Sequence, residues 1–360
     1  MKIAIVLGTR PEVIKMAPLI KELEKRRSDF FILHTGQHYS YNLDNIFFEQ
    51  LELPCPKYNL EVGSGSHAEE IGKILIGVEP VLLEEKPDIV LVEGDTNSVF
   101  AGAVAAVKLL IKVGHVEAGL RSYDRNMPEE INRILTDVCS DYLFAPTERA
   151  RGILLSEGIP EEKIYITGNT IVDAIYQNMG KIREQNNVLN TLKLTPEEYF
   201  LVTLHRQENV DNPARYTSIL EGLNNIAAKY HMSMVYPIHP RSRKMMNKFK
   251  LRPKDMRLVD PLDYLSFLHL ESQAKLILTD SGGVQEEACV LGVPCVTLRD
   301  NTERPETIEV GSNILAGATE GRILECSGIM LGKKNKWKNP YGDGKAGERI
   351  ADIITGGKNG

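Results

Sequence analysis

A chain of 360 residues with 42% hydrophobic and 26% charged residues has an ordinary soluble composition, and its length suits two domains of about 150 to 200 residues. Its 43 Lys and Arg against 49 Asp and Glu give a formal net charge of −6, which argues against a non-specific nucleic-acid or anionic-membrane binder and leaves room for a small anion in a local cationic pocket. No apolar run reaches the roughly 18 to 20 residues that cross a bilayer, and the five cysteines form no CxxC pair, so a cytosolic protein with reduced thiols is expected.

The chain opens with "KIAIVLGT", a β-branched run that soon meets Gly8, Arg10 and Pro11; it reads as a strand and not as a signal peptide. An amphipathic helix follows in "PEVIKMAPLIKELEKR". Further strands are predicted at "FFILHTG", "DIVLVEGDT", "VGHVEAG" and "YLFAPT", then at "YFLVTLHR", "SMVYPIHP", "MRLVDP", "KLILTDSGG" and "PCVTLRD". Runs that are apolar on both faces and alternate with amphipathic helices indicate parallel sheets covered on each side, and here they imply two sheets. The seam follows "KIYITGNTIVDA" near residue 170, where a helix and the polar "EQNNVLNTLKLTPEE" carry the chain from domain one, residues 1–169, into domain two, residues 170–344.

Ligands of open parallel sheets bind beyond the carboxyl ends of the strands. The residues closing these runs are Thr9 and Arg10, Gln37 and His38, Asp95 and Thr96, Glu117, Thr147, Asn169, His205 and Arg206, His239, and Asp280 to Gly283, a more polar set than helix capping requires. In "LTDSGGVQEEA", Gly282 and Gly283 let backbone N–H groups at a helix start approach a phosphate, and Ser281 adds a hydroxyl. The G-x-G-x-x-G fingerprint and the P-loop are both absent, so the stretch reads as an anion site or as a plain strand-to-helix turn. Glu287, one turn into that helix, suits a ribose diol, or is an exposed helical acid. "GHVEAGLRSYDRNMPEEINR" gathers Glu117, Glu129 and Glu130 around an arginine-containing loop; after Pro128, Glu129 and Glu130 fall in a first helical turn that favours acids, with Arg133 four residues beyond Glu129 as an ion-pair partner. No H-E-x-x-H or Asp-x-Asp pair occurs, and His34, His115, His231 and His269 lack carboxylate partners at ligand spacing, so they read as structural and no metal is expected.

Six segments, "LGTRPEVIK", "EGDTNSVFAG", "GHVEAGLRS", "PEEINR", "HRQEN" and "TDSGGVQEEACVLGVPCVTLRDNTERPE", resemble in order, along nearly the whole chain, the non-hydrolysing UDP-N-acetylglucosamine 2-epimerases. The resemblance implies an α/β chain of two Rossmann-like parallel-sheet domains facing a cleft, of glycosyltransferase B type, with a C-terminal helix at about 345–357, in "GKAGERIADIITGG", packing back on domain one. It implies reversible conversion of UDP-N-acetylglucosamine (UDP-GlcNAc) to UDP-N-acetylmannosamine (UDP-ManNAc) by elimination of UDP and re-addition to a 2-acetamidoglucal. It further implies supply of cell-surface polysaccharide precursors, no cofactor, and a cytoplasmic homodimer. Asp95, Glu117 and Glu130 match the family's catalytic carboxylates, and His205 joins them at the leaving diphosphate. Arg10, Lys15, Ser281, Gly282, Gly283, Glu287 and Arg304 match nucleotide-binding positions and Phe267 a position near the uracil, while Leu262 stands where some relatives carry glutamine. By spacing alone, Lys15 reads as a solvated face residue and Phe267 as core. Gln37, His38, Arg206 and His239 match the lining of a second UDP-GlcNAc site that activates bacterial members, although "EVGSGSHAEE" lacks an arginine some relatives place there.

Three rivals share parts of this pattern. A glycosyltransferase of the same fold needs an acceptor. A hydrolysing relative would free ManNAc and is disfavoured by the lack of a kinase-like C-terminal half. A non-catalytic UDP-sugar sensor has no need of Asp95, Glu117 and Glu130.

Overall fold

The computed structural model describes residues 1–36, 47–184, 187–254, 256–333 and 336–356. The chain forms two units, Met1–Gln177 with Tyr341–Gly360, and Asn178–Pro340, and passes from the first to the second inside the helix Thr170–Glu184.

In unit one the strands are β1 (Lys2–Leu7), β2 (Asp29–His34), β3 (Tyr58–Asn59), β4 (Ile89–Glu93), β5 (Lys112–Val116), β6 (Tyr142–Ala145) and β7 (Ile164–Ile166). They pair in parallel in the order β3-β2-β1-β4-β5-β6-β7. Burial explains why these runs are strands: Ile3 to Leu7 are all fully buried, because helices cover both faces of β1. Ala4, Val6, Val90 and Val92 share one face with the helices His67–Glu85 and Asn97–Lys108, and each of these valines contributes about 1.5–3 kcal/mol on burial. The sheet winds outward in both directions from β1 and β4, so a crevice opens beyond their carboxyl ends, where Gly8 to Arg10 and Gly94 to Thr96 lie.

The helix Ala346–Thr355 belongs to this unit and packs on the helix Arg10–Lys25. Gly347 permits the approach, since a Cβ there would stand 3.0 Å from both Leu19 N and the carbonyl carbon of Pro18. Gly347 N–H donates to Asp173 Oδ1 at 2.9 Å, Arg26 Nη1 meets Asp352 Oδ1 at 2.7 Å, and Arg349 Nη1 donates to Thr167 O at 3.0 Å.

Unit two repeats the plan with β8 (Tyr199–Thr203), β9 (Ser233–Pro237), β10 (Met256–Val259), β11 (Leu276–Thr279), β12 (Cys295–Thr297) and β13 (Asn313–Leu315), parallel in the order β10-β9-β8-β11-β12-β13. Side chains alternate across the sheet: Phe200, Val202, Leu276 and Leu278 enter one core with the helices Pro213–Tyr230 and Glu320–Leu331, while Tyr199, Leu201 and Ile277 enter the other. The winding reverses between β8 and β11, whose carboxyl ends lead directly to His205 and Asp280.

Both sheets are of the parallel α/β kind that the apolar runs imply. β3, β7 and β13 are not among the predicted runs; each has only two or three residues, and their sequences, "YN", "IYI" and "NIL", are too short to show a period. All five cysteines are free thiols, and among the described residues no helix is long and apolar enough to cross a membrane.

Candidate active site

In unit one the polar strand ends form two linked clusters. The first starts from Thr9, the N-cap of the helix Arg10–Lys25. Glu12, at the third helical position, reaches back to take Gly8 N–H at 2.6 Å and the Thr9 hydroxyl at 2.9 Å, and also takes the Thr96 hydroxyl at 2.7 Å. It thereby ties the turn after β1 to the turn after β4. Burial pushes the Glu12 carboxyl up to about 7 against the pull of those three donors. Arg10 begins the helix with its guanidinium over the Phe47 ring, 5.0 Å from the centroid.

Lys15, one turn further, is buried, in contrast to the solvated position its spacing suggests. Its ammonium pairs with Glu117 Oε2 and lies 3.4 Å from Glu93 Oε1. Glu117 follows β5 with φ of 71°, in the left-handed region that costs a non-glycine residue about 1–3 kcal/mol. The Glu117 and Ala118 N–H groups both donate to Phe144 O, at 3.1 and 3.2 Å, which holds the strained turn in place. Asn169, beyond β7, donates to Glu117 Oε2 at 3.4 Å.

The second cluster centres on Arg133, buried in the helix Pro128–Cys139. Its Nε lies 3.1 Å from Asp95 Oδ2 and its Nη1 2.7 Å from Glu130 Oε2. Glu130 also accepts from Ser122 N and Oγ, each at 2.9 Å, and from Tyr123 N at 2.8 Å, so its carboxylate fastens the arginine-containing loop. Spacing pointed Arg133 at Glu129; the fold corrects this, because Asp95 and Glu130 engage it. A second correction concerns His115, which has a carboxylate partner: its Nδ1 lies 2.6 Å from Asp137 Oδ1 and its Nε2 2.8 Å from Gly94 O. Burial opposes the charge on Asp137, yet His115 and Arg121 hold it below the usual carboxylate range. His115 is thus structural, bracing the turn before Asp95.

In unit two, Ser281 caps the helix Gly282–Leu291, accepting Val284 N–H at 3.4 Å. The leading N–H groups of a helix, here those of Gly282 and Gly283, are the ones an α-helix leaves for an anion. A Cβ on Gly282 would collide with Glu303, whereas one on Gly283 would meet only Ser281 Oγ at 3.9 Å. Glu303 is itself held by Arg299 at 2.9 Å and faces Arg206 at 3.6 Å, and Arg304 pairs with Glu286 at 2.5 Å. Asp280 follows β11, fully buried, and accepts His205 N–H at 3.1 Å, Arg206 N–H at 3.0 Å and Asn209 Nδ2–H at 3.1 Å. Its Oδ1 lies 3.2 Å from His205 Nδ1. Burial works against ionised Asp280, but the His205 ring and these donors hold its carboxyl below the ordinary range. This anchors one ring nitrogen of His205 on Asp280.

His239, an N-cap accepting Arg241 N–H at 3.2 Å, lies with its ring centroid 5.8 Å from that of His205. Glu287 is buried and faces Glu271 of the helix Tyr264–Gln273, the helix that also carries Phe267. Phe267 and Leu262 are both half-buried against the unit-two core. Gln37 and His38 lie outside the described residues. Unit one therefore carries Arg10, Lys15, Asp95, Glu117 and Glu130, and unit two carries His205, Arg206, His239, Phe267, Ser281, Gly282, Gly283, Glu287 and Arg304.

Comparison with known proteins supplies the decisive observation: the family model described as UDP-N-acetylglucosamine 2-epimerase matches residues 21–355. The chain belongs to the UDP-N-acetylglucosamine 2-epimerase family. The chain is 58% identical to the UDP-N-acetylglucosamine 2-epimerase of Methanocaldococcus jannaschii, over 99% of this chain and 100% of that protein, and 55% identical to that of Methanococcus maripaludis, over 99% of each. Its fold matches the crystal structure of the Methanocaldococcus jannaschii UDP-GlcNAc 2-epimerase in complex with UDP-GlcNAc and UDP, with a TM-score of 0.95 and 57% identity over 99% of this chain and 100% of that one.

Glu12, Glu93, Arg133, Glu271, Glu286 and Glu303, buried and charged beside the candidate residues, were not read from the sequence as part of the site. Glu93 left one signal, an acid closing the otherwise apolar run "IVLVE". Glu12 left another, the T-x-x-E spacing of "TRPE" at a helix start, whereas Glu271 and Glu286 left none, since a glutamate on a helix reads as solvated until another element covers it.

Proposed function

We propose that this chain, a UDP-N-acetylglucosamine 2-epimerase and hence an isomerase, works by eliminating UDP from UDP-GlcNAc and adding it back to a 2-acetamidoglucal, reversibly forming UDP-ManNAc. The observation that carries the reading is the meeting of ionisable carboxylates and buried cations at the strand ends of unit one, alongside an anion-suited helix start and an aspartate-held histidine in unit two.

The C2 hydrogen of the sugar is hardly acidic, because no carbonyl adjoins it. It becomes removable as the C1–O bond breaks: the C2–H electrons form the C1–C2 double bond, the C1–O electrons leave with UDP, and the proton passes to a carboxylate. Reversal through the other face of C2 gives the epimer. Asp95 and Glu117 are the acid–base groups, with Glu130 the third carboxylate, acting through the arginine it shares with Asp95. Arg10, Lys15, His205 and Arg304 offset charge on the departing diphosphate, with the Ser281–Gly283 N–H groups. Glu287 takes the ribose and Phe267 the uracil.

The product feeds a cell-surface polysaccharide, the enzyme is a cytoplasmic homodimer, and a second UDP-GlcNAc near Arg206 and His239 activates it. Strictly hyperbolic initial rates with UDP-GlcNAc, and full-speed epimerisation of UDP-ManNAc alone, would remove the activator. The main test is a proton NMR time course of UDP-GlcNAc in deuterated water. UDP-ManNAc carrying deuterium at C2, with only traces of free UDP, is expected; an unchanged sugar with UDP still bound would point to a transferase or a sensor.

A further inference from the structure

Glu93 ends β4 with 2% exposure, and nothing in the chemistry above uses it. β4 and β5 run in register with Glu93 beside Val116, so Glu93 neighbours the strained turn that carries Glu117. One ammonium, Lys15, serves both acids, pairing with Glu117 Oε2 and standing 3.4 Å from Glu93 Oε1. That same Oε1 is buried and accepts no hydrogen bond. The charged and titratable groups acting on Glu93 are Lys15 and Glu12 from the helix Arg10–Lys25, and Glu117 from the turn after β5. Two ionised carboxylates beside the one ammonium would repel each other, and burial penalises the charge on Glu93 further. Two acids in contact relieve this by sharing a proton. Burial first, and then the nearby acids, favour the neutral form of Glu93 over the pull of Lys15, and its side chain is within hydrogen-bonding reach of Glu117.

We propose that Glu93 is the proton-holding partner of Glu117: it donates its O–H to Glu117 and thereby keeps Glu117 as the single, fixed carboxylate on Lys15. Glu93 touches no substrate, so it is a positioning residue. The consequence is that the buried pair is active when it holds one proton and loses activity when rising pH removes it.

The test compares the full-length protein with Glu93→Gln, whose amide still donates but cannot ionise, and with Glu93→Met, which cannot donate. Infrared difference spectra between wild type and Glu93→Gln should contain the carbonyl band of a protonated carboxylic acid, and that band should vanish from wild type at alkaline pH. This arm needs no turnover, so it stands even if UDP-GlcNAc is not the substrate. In epimerisation assays, Glu93→Gln should keep KM within about twofold, lose less than about tenfold in kcat, and shift the alkaline limb of kcat to higher pH or abolish it; Glu93→Met should lose about 100-fold in kcat. Should Glu93→Met fail to fold, Glu93→Gln decides alone. Superimposable pH profiles for wild type and Glu93→Gln, or no protonated-carboxyl band lost on substitution, would overturn the proposal. A wild type that releases no epimer in any condition would instead overturn the epimerase reading on which the kinetic arm rests.

Discussion

Glu12 offers a direct measurement of what a buried acid does to this fold. Its carboxyl takes three hydrogen bonds between the turns after β1 and β4, and burial pushes it from 4.5 to about 7. Folded protein therefore holds a proton that the unfolded chain has released between those pH values. Stability from this site is complete below about pH 4.5, falls as pH rises through the window, and is gone above about pH 7. A displacement of that size corresponds to about 3 kcal/mol. Glu12→Gln keeps the shape, its carbonyl can accept Gly8 N–H, and its amide can donate to the threonine hydroxyls, but it has no proton to lose. Urea unfolding followed by circular dichroism at several pH values should show the variant gaining on wild type by up to about 3 kcal/mol between about pH 4.5 and 8. Curves that run parallel across that window would refute the assignment of a neutral, proton-dependent Glu12.

Asp95→Asn, Glu117→Gln and Glu130→Gln should each retain UDP binding by calorimetry while losing roughly 100- to 10,000-fold in epimerisation; near-normal rates in all three would remove them from the chemistry. Arg133→Met leaves Glu130 buried without its cation, so thermal unfolding should report a loss of about 3–5 kcal/mol, and an unchanged melting curve would contradict the burial argument. Asp280→Asn removes the charge behind His205 and turns an amide N–H2 toward groups that donate to the carboxylate, so it should lower kcat by about 10- to 100-fold and lower the melting temperature as well, with the histidine ring signals shifting in NMR spectra. Gly347→Val forces side-chain atoms onto the backbone of Pro18 and Leu19, for a loss of about 1–3 kcal/mol in chemical unfolding.

The sheets were legible because parallel strands buried on both faces carry near-continuous apolar letters, as in "IAIVL" and "LILT", and because the polar residue that stops each run falls where ligands bind. Asp95, Glu117, His205 and Asp280 were visible for that reason. Lys15 was not readable as a buried cation, since its burial depends on two acids that arrive from β4 and β5 about eighty and one hundred residues later in the chain. Arg133 misled in the same way: helical spacing offered Glu129, and the tertiary fold supplied Asp95 and Glu130. The left-handed backbone of Glu117 had no sequence signature either, because it is imposed by two N–H groups converging on Phe144 O.

The arrangement of unit one also sets an order of events during synthesis. Ala346, Ile350, Ala351 and Ile354 bury themselves in a helix that the ribosome makes only after the whole of Asn178–Pro340. At roughly 5 to 20 residues per second, the surface around Pro18 and Leu19 waits on the order of ten seconds for its cover. Unit two can thus be complete while the unit begun first is still open, and it is this early apolar surface, rather than either sheet, that a nascent-chain chaperone would meet.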